Sequence, residues 1–282
     1  MSARTRHTRT TPIIAGAVLA VAGLVGGSMA NADAHAGRPP GTPPHVTTRG
    51  DSIPNVTLVE DAITAYYGST TVAAPAALTS SLGLTTLTEP SPTGAYAKEM
   101  KGIESRLQNQ LAHWHAGRGE KGKPAVVFDI DDTTLNTYNY EVYSQFGYVP
   151  ATNADFVNAE AFPANPGMTS LVNWVNTHGY TVFFITGRPE TQRGATVGNL
   201  QKVGYTEAMG PDRLFLKNKT NPPAYLTCGS TCTTIQYKSG TRKYIESEGY
   251  NIVASVGDQY SDLEGGYDDL QIKLPNPMYY LP

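Results

Sequence analysis

Charge is scarce in this sequence. Only 16% of its 282 residues are Asp, Glu, Lys or Arg, and the formal net charge is -3. No basic run or stripe is present, which excludes the electrostatic footprint of a nucleic-acid binder. An apolar run of membrane length is also missing. "PIIAGAVLAVAGLVGG" has 16 residues, short of the roughly 20 that a spanning helix needs. It follows Arg4, Arg6 and Arg9 and precedes "SMANADAHAG", with three overlapping Ala-x-Ala sites. That is the three-part layout of an export signal, read over residues 1–32, and not of a stable membrane anchor. Cysteine is almost absent: the two residues are Cys228 and Cys232, in "TCGSTC". Neither lies near the cleavage sites, so a lipid anchor on cysteine is excluded. In an exported chain the close pair is most simply a disulfide closing a small loop, since zinc would need two more soft ligands nearby.

A hydrophobic content of 40% is enough for one substantial core with a small appendage. Residues 33–54 are rich in Pro, Gly and Thr and read as a disordered linker. The domain then runs over 55–282, with a helical extension over 55–118 and a core over 124–275. Thr57 to Gly68 is predicted helical, with Thr57 and Glu60 as a capping box. Residues 69–94 read as irregular. Met100, Ile103, Leu107, Leu111 and Trp114 recur at helical spacing, with Gly117 as the stop.

From Pro124 the rhythm changes. Apolar strands are predicted at 125–129, 181–186, 213–216, 251–256 and 270–274. Helices are predicted around Met168–Val175, over 190–203 and over 238–248. Strands this apolar, separated by helices, point to an α/β fold: a doubly wound parallel sheet covered on both faces. In such a sheet ligands bind at the carboxyl ends of the strands. Three polar clusters fall there: "DIDDTT" after the first strand, "TGR" (Thr186–Arg188) closing the second and "GDQYSD" (Gly257–Asp262) closing the fourth. Asp129, Asp258 and Asp262 brought to one rim would repel one another unless a cation sat among them. Hard carboxylates without His or Cys point to Mg²⁺.

These residues carry a resemblance. "DIDDT" fits the Asp-x-Asp-x-Thr signature of the haloacid dehalogenase superfamily, Thr186 in "FFITGR" its second motif and "GDQYSD" its fourth. "YKSGTRKYIESEGYNIVASVGDQYSDL" is similar to the C-terminal region of its subfamily IIIB acid phosphatases, a group that includes plant acid phosphatases, vegetative storage proteins and secreted bacterial relatives. The resemblance spans about residues 95–275. It implies a secreted, Mg²⁺-dependent phosphatase acting on small phosphomonoesters, with no nucleic-acid partner. Asp129 stands at the nucleophile position and Asp131 at the general acid/base position, which together imply an acidic to mildly acidic optimum. Thr186 and Gly187 would bind phosphate. Metal ligands would be Asp129, the backbone carbonyl of Asp131, Asp258 and, directly or one shell out, Asp262.

Several assignments stay open in the sequence. Lys238 matches the subfamily's Lys-Ser-x-x-Arg pattern, but Lys243 also precedes Asp258 at a plausible distance, and only one can face the phosphate. Arg188 could contact phosphate or pair with an acid. Asp132 reads as a solvated or capping carboxylate. Tyr138, Tyr140, Tyr143 and Phe146 form either an aromatic mouth or packing against the sheet, with packing favoured for at least two. The Trp114 helix is a candidate to roof the opening, and the Cys228–Cys232 loop to border it. Nucleotidase or phosphotransferase activity on the same site, or a non-catalytic storage protein of the same fold, are the competing readings.

Overall fold

The computed structural model describes residues 54–114 and 122–282. The export segment, and the linker save Pro54, lie outside the described residues, as does Gly117. Among the described residues no helix is long and apolar enough to cross a membrane.

The core is a five-stranded parallel sheet built from β3 (Lys123–Phe128), β4 (Thr181–Pro189), β5 (Leu214–Lys217), β6 (Tyr250–Gly257) and β7 (Leu270–Lys273), in the order β5-β4-β3-β6-β7. The chain fills one side of β3 first, through β4 and β5, and then crosses to β6 and β7 on the other. The reversal point lies between β3 and β6, where open α/β sheets hold their ligands.

Alternation along the strands buries both faces. Val126, Phe128, Val182 and Phe184 join one apolar cluster, and Ala125, Val127, Phe183 and Ile185 join the other. The first face is covered by α6 (Met168–Thr177), α7 (Arg193–Lys202) and the segment before β3. The second is covered by α8 (Thr234–Ser247), through Tyr237 and Ile245, together with Leu226 and Cys232. Cys232 is bonded to Cys228, immediately ahead of α8.

The segment before β3 is more ordered than the sequence indicated. α1 (Val56–Tyr67) starts on Asn55, whose side chain accepts the Thr57 N–H at 3.0 Å, so the cap lies ahead of the expected Thr57–Glu60 box. Residues 69–94, expected to be irregular, contain β1 (Thr70–Ala73), α2 (Ala76–Leu82) and β2 (Thr86–Glu89), with β1 and β2 antiparallel. α3 (Ala95–Ala112) buries Met100, Ile103, Leu107 and Leu111, the stripe its periodicity required. It stops before Trp114. That ring packs on Tyr180, just ahead of β4 and at the opposite end of the sheet from Thr186. Trp114 therefore does not roof the opening. α4 (Tyr138–Tyr143) and α5 (Pro150–Asn158) complete this face. Tyr138 stacks on Tyr67 and Tyr140 packs on Phe156; both are fully buried. Only Tyr143 and Phe146 of the proposed aromatic mouth keep exposed surface.

Beyond β6, the short α9 (Tyr260–Leu263) and the loop after it are clamped from inside by Arg242 of α8. Its buried guanidinium donates to the carbonyls of Asp262 (2.5 Å), Leu263 (3.1 Å), Glu264 (2.6 Å) and Gly266 (2.8 Å). Arg242→Met is expected to take this donor from the carbonyls of Asp262, Glu264 and Gly266, while Leu263 O keeps Gln271 Nε2 at 2.6 Å, and to destabilise the fold by about 3 kcal/mol or more. Urea unfolding checks this; an unchanged midpoint would show that the clamp carries no stability.

Candidate active site

β3 delivers Asp129 to the rim. The Asp129 N–H donates to Val256 O of β6 at 3.0 Å, so this carboxylate emerges beside the end of the neighbouring strand. β6 ends at Gly257, and Asp258 follows at once. A Cβ on Gly257 would collide with the Asp262 side chain, so only glycine lets the loop fold back this closely. Asp262 is fixed by reciprocal capping: its Oδ2 accepts the Gln259 N–H at 2.9 Å at the start of α9. As a result, Asp129, Asp258 and Asp262 each offer an oxygen within 4.8 Å of the others, all buried.

α8 supplies the compensating charge. The Lys238 ammonium lies between Asp129 Oδ1 and Asp262 Oδ1 and bonds both. Burial opposes its charge, but the two carboxylates prevail and hold its pKa above the ordinary lysine value. Lys243 points elsewhere, toward the Tyr267 ring at 5.7 Å. Of the two candidate lysines, the structure brings only Lys238 to the carboxylates.

Asp131 sits across the opening, partly exposed and held by Arg188. The guanidinium donates from Nη2 at 2.6 Å and from Nε at 3.0 and 3.1 Å, and its Nη1 is anchored on Thr196 at 3.1 Å. In this state Arg188 pairs with an acid. Thr186, buried within β4 three residues before its end, accepts the Arg188 N–H on its hydroxyl at 3.2 Å. Gly187 between them is exposed, and a Cβ there would meet no protein atom within 4 Å. The protein itself therefore does not need glycine at this position.

Of the two readings of Asp132, solvated or capping, the structure departs from the first. It is fully buried, with a left-handed backbone (φ 55°). Its carboxylate accepts from Thr137 N–H at 2.9 Å, Thr137 Oγ1 at 2.6 Å and Tyr279 OH at 2.6 Å. Asn165 Nδ2 donates to the carbonyls of Asp132 (2.8 Å) and Thr133 (3.0 Å), and its Oδ1 accepts from Tyr96 OH at 2.6 Å. Thr133 donates to Asp258 Oδ1 at 3.3 Å, joining the two carboxylate loops directly.

Asn165, Asn276 and Tyr279 have no part in the sequence-level motifs. Neither does Glu141, which is buried and pushed up to about 7 by desolvation, with the nearby charge of Asp131 adding to it. "LPNPMYY", where Asn276 lies between two prolines, was the available signal for Asn276 and Tyr279.

The charge count tests whether a cation fits. Asp131 is neutralised by Arg188. Asp129, Asp132, Asp258 and Asp262 face two nearby ammoniums, Lys238 and Lys273. With Arg242 set against Asp268 and all four carboxylates ionised, two negative charges remain. An oxygen-only donor set with that excess matches a divalent cation.

A family model described as HAD superfamily, subfamily IIIB (acid phosphatase), matches residues 79–282. The chain belongs to that family. As a subfamily IIIB member it is a phosphomonoester hydrolase with the haloacid dehalogenase fold. The tomato (Solanum lycopersicum) acid phosphatase 1 is 34% identical over 206 residues, 69% of this chain and 76% of its own length. The soybean (Glycine max) stem 28 kDa glycoprotein is 34% identical over 63% of this chain and 68% of its own. The Arabidopsis thaliana vegetative storage protein 1 is 33% identical over 64% of each. The class C acid phosphatase of Bacillus anthracis superposes with a TM-score of 0.54 over 67% of this chain and 80% of that one. At 22% identity this likeness shows the shared fold.

The carboxylates set a pH dependence of stability. Burial, then Asp262, raise Asp258 to about 6, and burial also raises Asp129 and Asp132. An acid whose folded pKa lies above its unfolded one favours folding below the unfolded value and loses that contribution as pH rises through the folded one. The metal-free protein is therefore expected to lose melting temperature between about pH 4 and 7. Divalent cation, which binds only the deprotonated carboxylates, should add more stability at pH 7 than at pH 4.5. Melting curves with and without chelator check both; a larger cation effect at the lower pH would contradict the assignment.

Proposed function

We propose that this family member is a secreted, Mg²⁺-dependent acid phosphatase acting on small phosphomonoesters. The observation that carries the reading is the meeting of Asp129, Lys238, Asp258 and Asp262 on the rim that also holds Asp131, Thr186 and Gly187. Export follows from the layout of residues 1–32. Mg²⁺ follows from hard oxygen donors and from its preference for phosphate oxygens as remaining ligands.

The roles follow from position. Asp129 attacks phosphorus in line, the ester P–O bond breaks, and an aspartyl-phosphate forms. Asp131 gives a proton to the leaving oxygen and later takes one from the water that hydrolyses the intermediate. Lys238, the Thr186 hydroxyl and the backbone N–H groups around Gly187 hold the phosphoryl oxygens. Asp129, Asp258 and the Asp131 carbonyl would hold the ion. Asp262 has both oxygens engaged, by Lys238 and by Gln259 N–H, and so acts one shell out, fixing the lysine. When bound, the ion stabilises charge on the transferring group.

The same site would serve a nucleotidase, or a phosphotransferase if an alcohol replaced water; the ratio of transferred product to free phosphate separates these. Two relatives carry the name vegetative storage protein. Retention of Asp129, Asp131, Lys238 and Asp258 here supports catalysis.

Asp129→Asn is expected to lower phosphate release from a panel of small esters by about 10³-fold or more, with folding intact. Retained turnover would remove Asp129 as nucleophile. Gly187→Ala separates fold from substrate. Its melting temperature should match the parent's, because no protein atom meets the new methyl, while turnover should fall about 10–100-fold if phosphate approaches that backbone. Equal turnover would place the phosphate elsewhere.

A further inference from the structure

The segment after β7 lies outside every motif, yet it reaches both carboxylate loops. Leu274 N–H still pairs with Gly257 O at 2.9 Å, and Met278 is buried in the main core. Between them, Asn276 Oδ1 accepts the Met278 N–H at 2.9 Å. That bond fixes the amide and turns its NH₂ outward, where it donates to Asp258 Oδ2 at 2.7 Å. Gln259 Nε2 donates to the same oxygen at 2.7 Å, while Gln259 Oε1 accepts the Leu281 N–H at 3.0 Å. Ser261 Oγ donates to Leu281 O at 3.3 Å. Tyr279 OH reaches the other loop at Asp132 Oδ2, 2.6 Å away.

The asymmetry at Asp258 is informative. Two amides occupy Oδ2, so that oxygen is committed to the segment and its neighbour. Oδ1 faces the Asp129–Thr133 loop, where Thr133 Oγ1 lies at 3.3 Å. A carboxylate held this way cannot swing Oδ1, whose one partner is the long bond from Thr133, away from the cluster. Tyr279 fixes the companion loop through Asp132, whose left-handed backbone lies between Asp131 and Thr133.

We propose that residues 276–281 form a strap over the cation site, with Asn276 and Tyr279 as positioning residues. Asn276 orients Asp258 by occupying its outer oxygen, and Tyr279 holds the Asp131 carbonyl by anchoring Asp132. Neither touches substrate. Outer partners that orient a metal-ligating carboxylate are worth about 10–100-fold in metal affinity. The inference rests on the reading of the cluster as a divalent-cation site.

The test uses the whole chain and two variants, Asn276→Ala and Tyr279→Phe. Mg²⁺ is titrated calorimetrically into each chelator-treated protein well below its melting temperature, and phosphate release is followed against Mg²⁺ concentration. Asn276→Ala should raise the Mg²⁺ dissociation constant about tenfold or more, with turnover largely restored at saturating Mg²⁺. Tyr279→Phe keeps the ring's packing and loses only the hydroxyl. It should weaken Mg²⁺ binding about threefold or more, and it keeps the question decidable if the alanine variant does not fold. A strap that only packs the fold would lower the melting temperature and leave the dissociation constant within about twofold of the parent's, which would overturn the proposal. Absence of Mg²⁺ binding by the unmodified protein would instead remove the cation reading, and the strap with it.

Discussion

One ammonium between two buried carboxylates is the constraint on which the rest of the structure depends. Asp129 comes from the end of the strand at the centre of the sheet, Asp262 from α9 more than a hundred residues later, and Lys238 from the helix that precedes β6. Removed from water unpaired, each would cost several kcal/mol. Together they remain short of neutral, because Asp258 and Asp132 stand behind them. Much of the surrounding structure serves this charge. Arg242 holds the carbonyls of the Asp262 loop, Gly257 permits its close return, and Gln259 and Asn276 hold Asp258. The parallel sheet makes the arrangement possible, since strands entering from one end leave their polar successors at the other.

A site that opposes its own folding bears on the choice between catalysis and storage. Buried acids with raised pKa values stabilise nothing by themselves, and apolar residues of similar size would be at least as favourable. A chain kept only as a store of amino acids has no physical reason to retain Asp129, Asp131, Lys238 and Asp258 in mutual register. Named storage proteins share a third of their aligned residues with this chain, so the fold alone does not discriminate. The electrostatics favours the enzyme, because preorganised charge has value only where charge moves.

The strands and motif residues were legible because both rest on local pattern. Apolar runs of four to six residues bounded by polar clusters identify buried parallel strands, and a strand's end fixes where its next residue emerges. Elements governed by contacts were not legible. The β1–α2–β2 segment is made of pieces of 4, 7 and 4 residues, too short to show a period. The α1 cap moved to Asn55 because either Asn or Thr can serve there, and the choice depends on where the backbone turns. The Trp114 helix was credited with roofing the site because periodicity gives a face but no direction. Its Tyr96 end lies toward Asn165 and the carboxylate loop, while Trp114 lies at the far side. Arg188 chose Asp131, and Asp132 became buried, through partners 57 and 147 residues away. Spacing along the chain says nothing about such partners.

The carboxylate loop is held from two sides, and this explains how one residue in a costly conformation persists there. A non-glycine residue with positive φ costs about 1 kcal/mol or more unless its surroundings over-determine it. At Asp132 they do. Asn165 takes the carbonyls of Asp132 and Thr133 and is itself fixed by Tyr96 from the N-terminal extension. Thr137 and Tyr279 take the carboxylate from the other side. The segment before β3 and the segment after β7, which flank the parallel sheet in sequence, thus meet on the residue between Asp131 and Thr133. Strain confined there fixes where Asp131 and its carbonyl point. That constraint gives both flanking segments a part in the geometry of the carboxylate loop, although neither carries one of the clustered carboxylates.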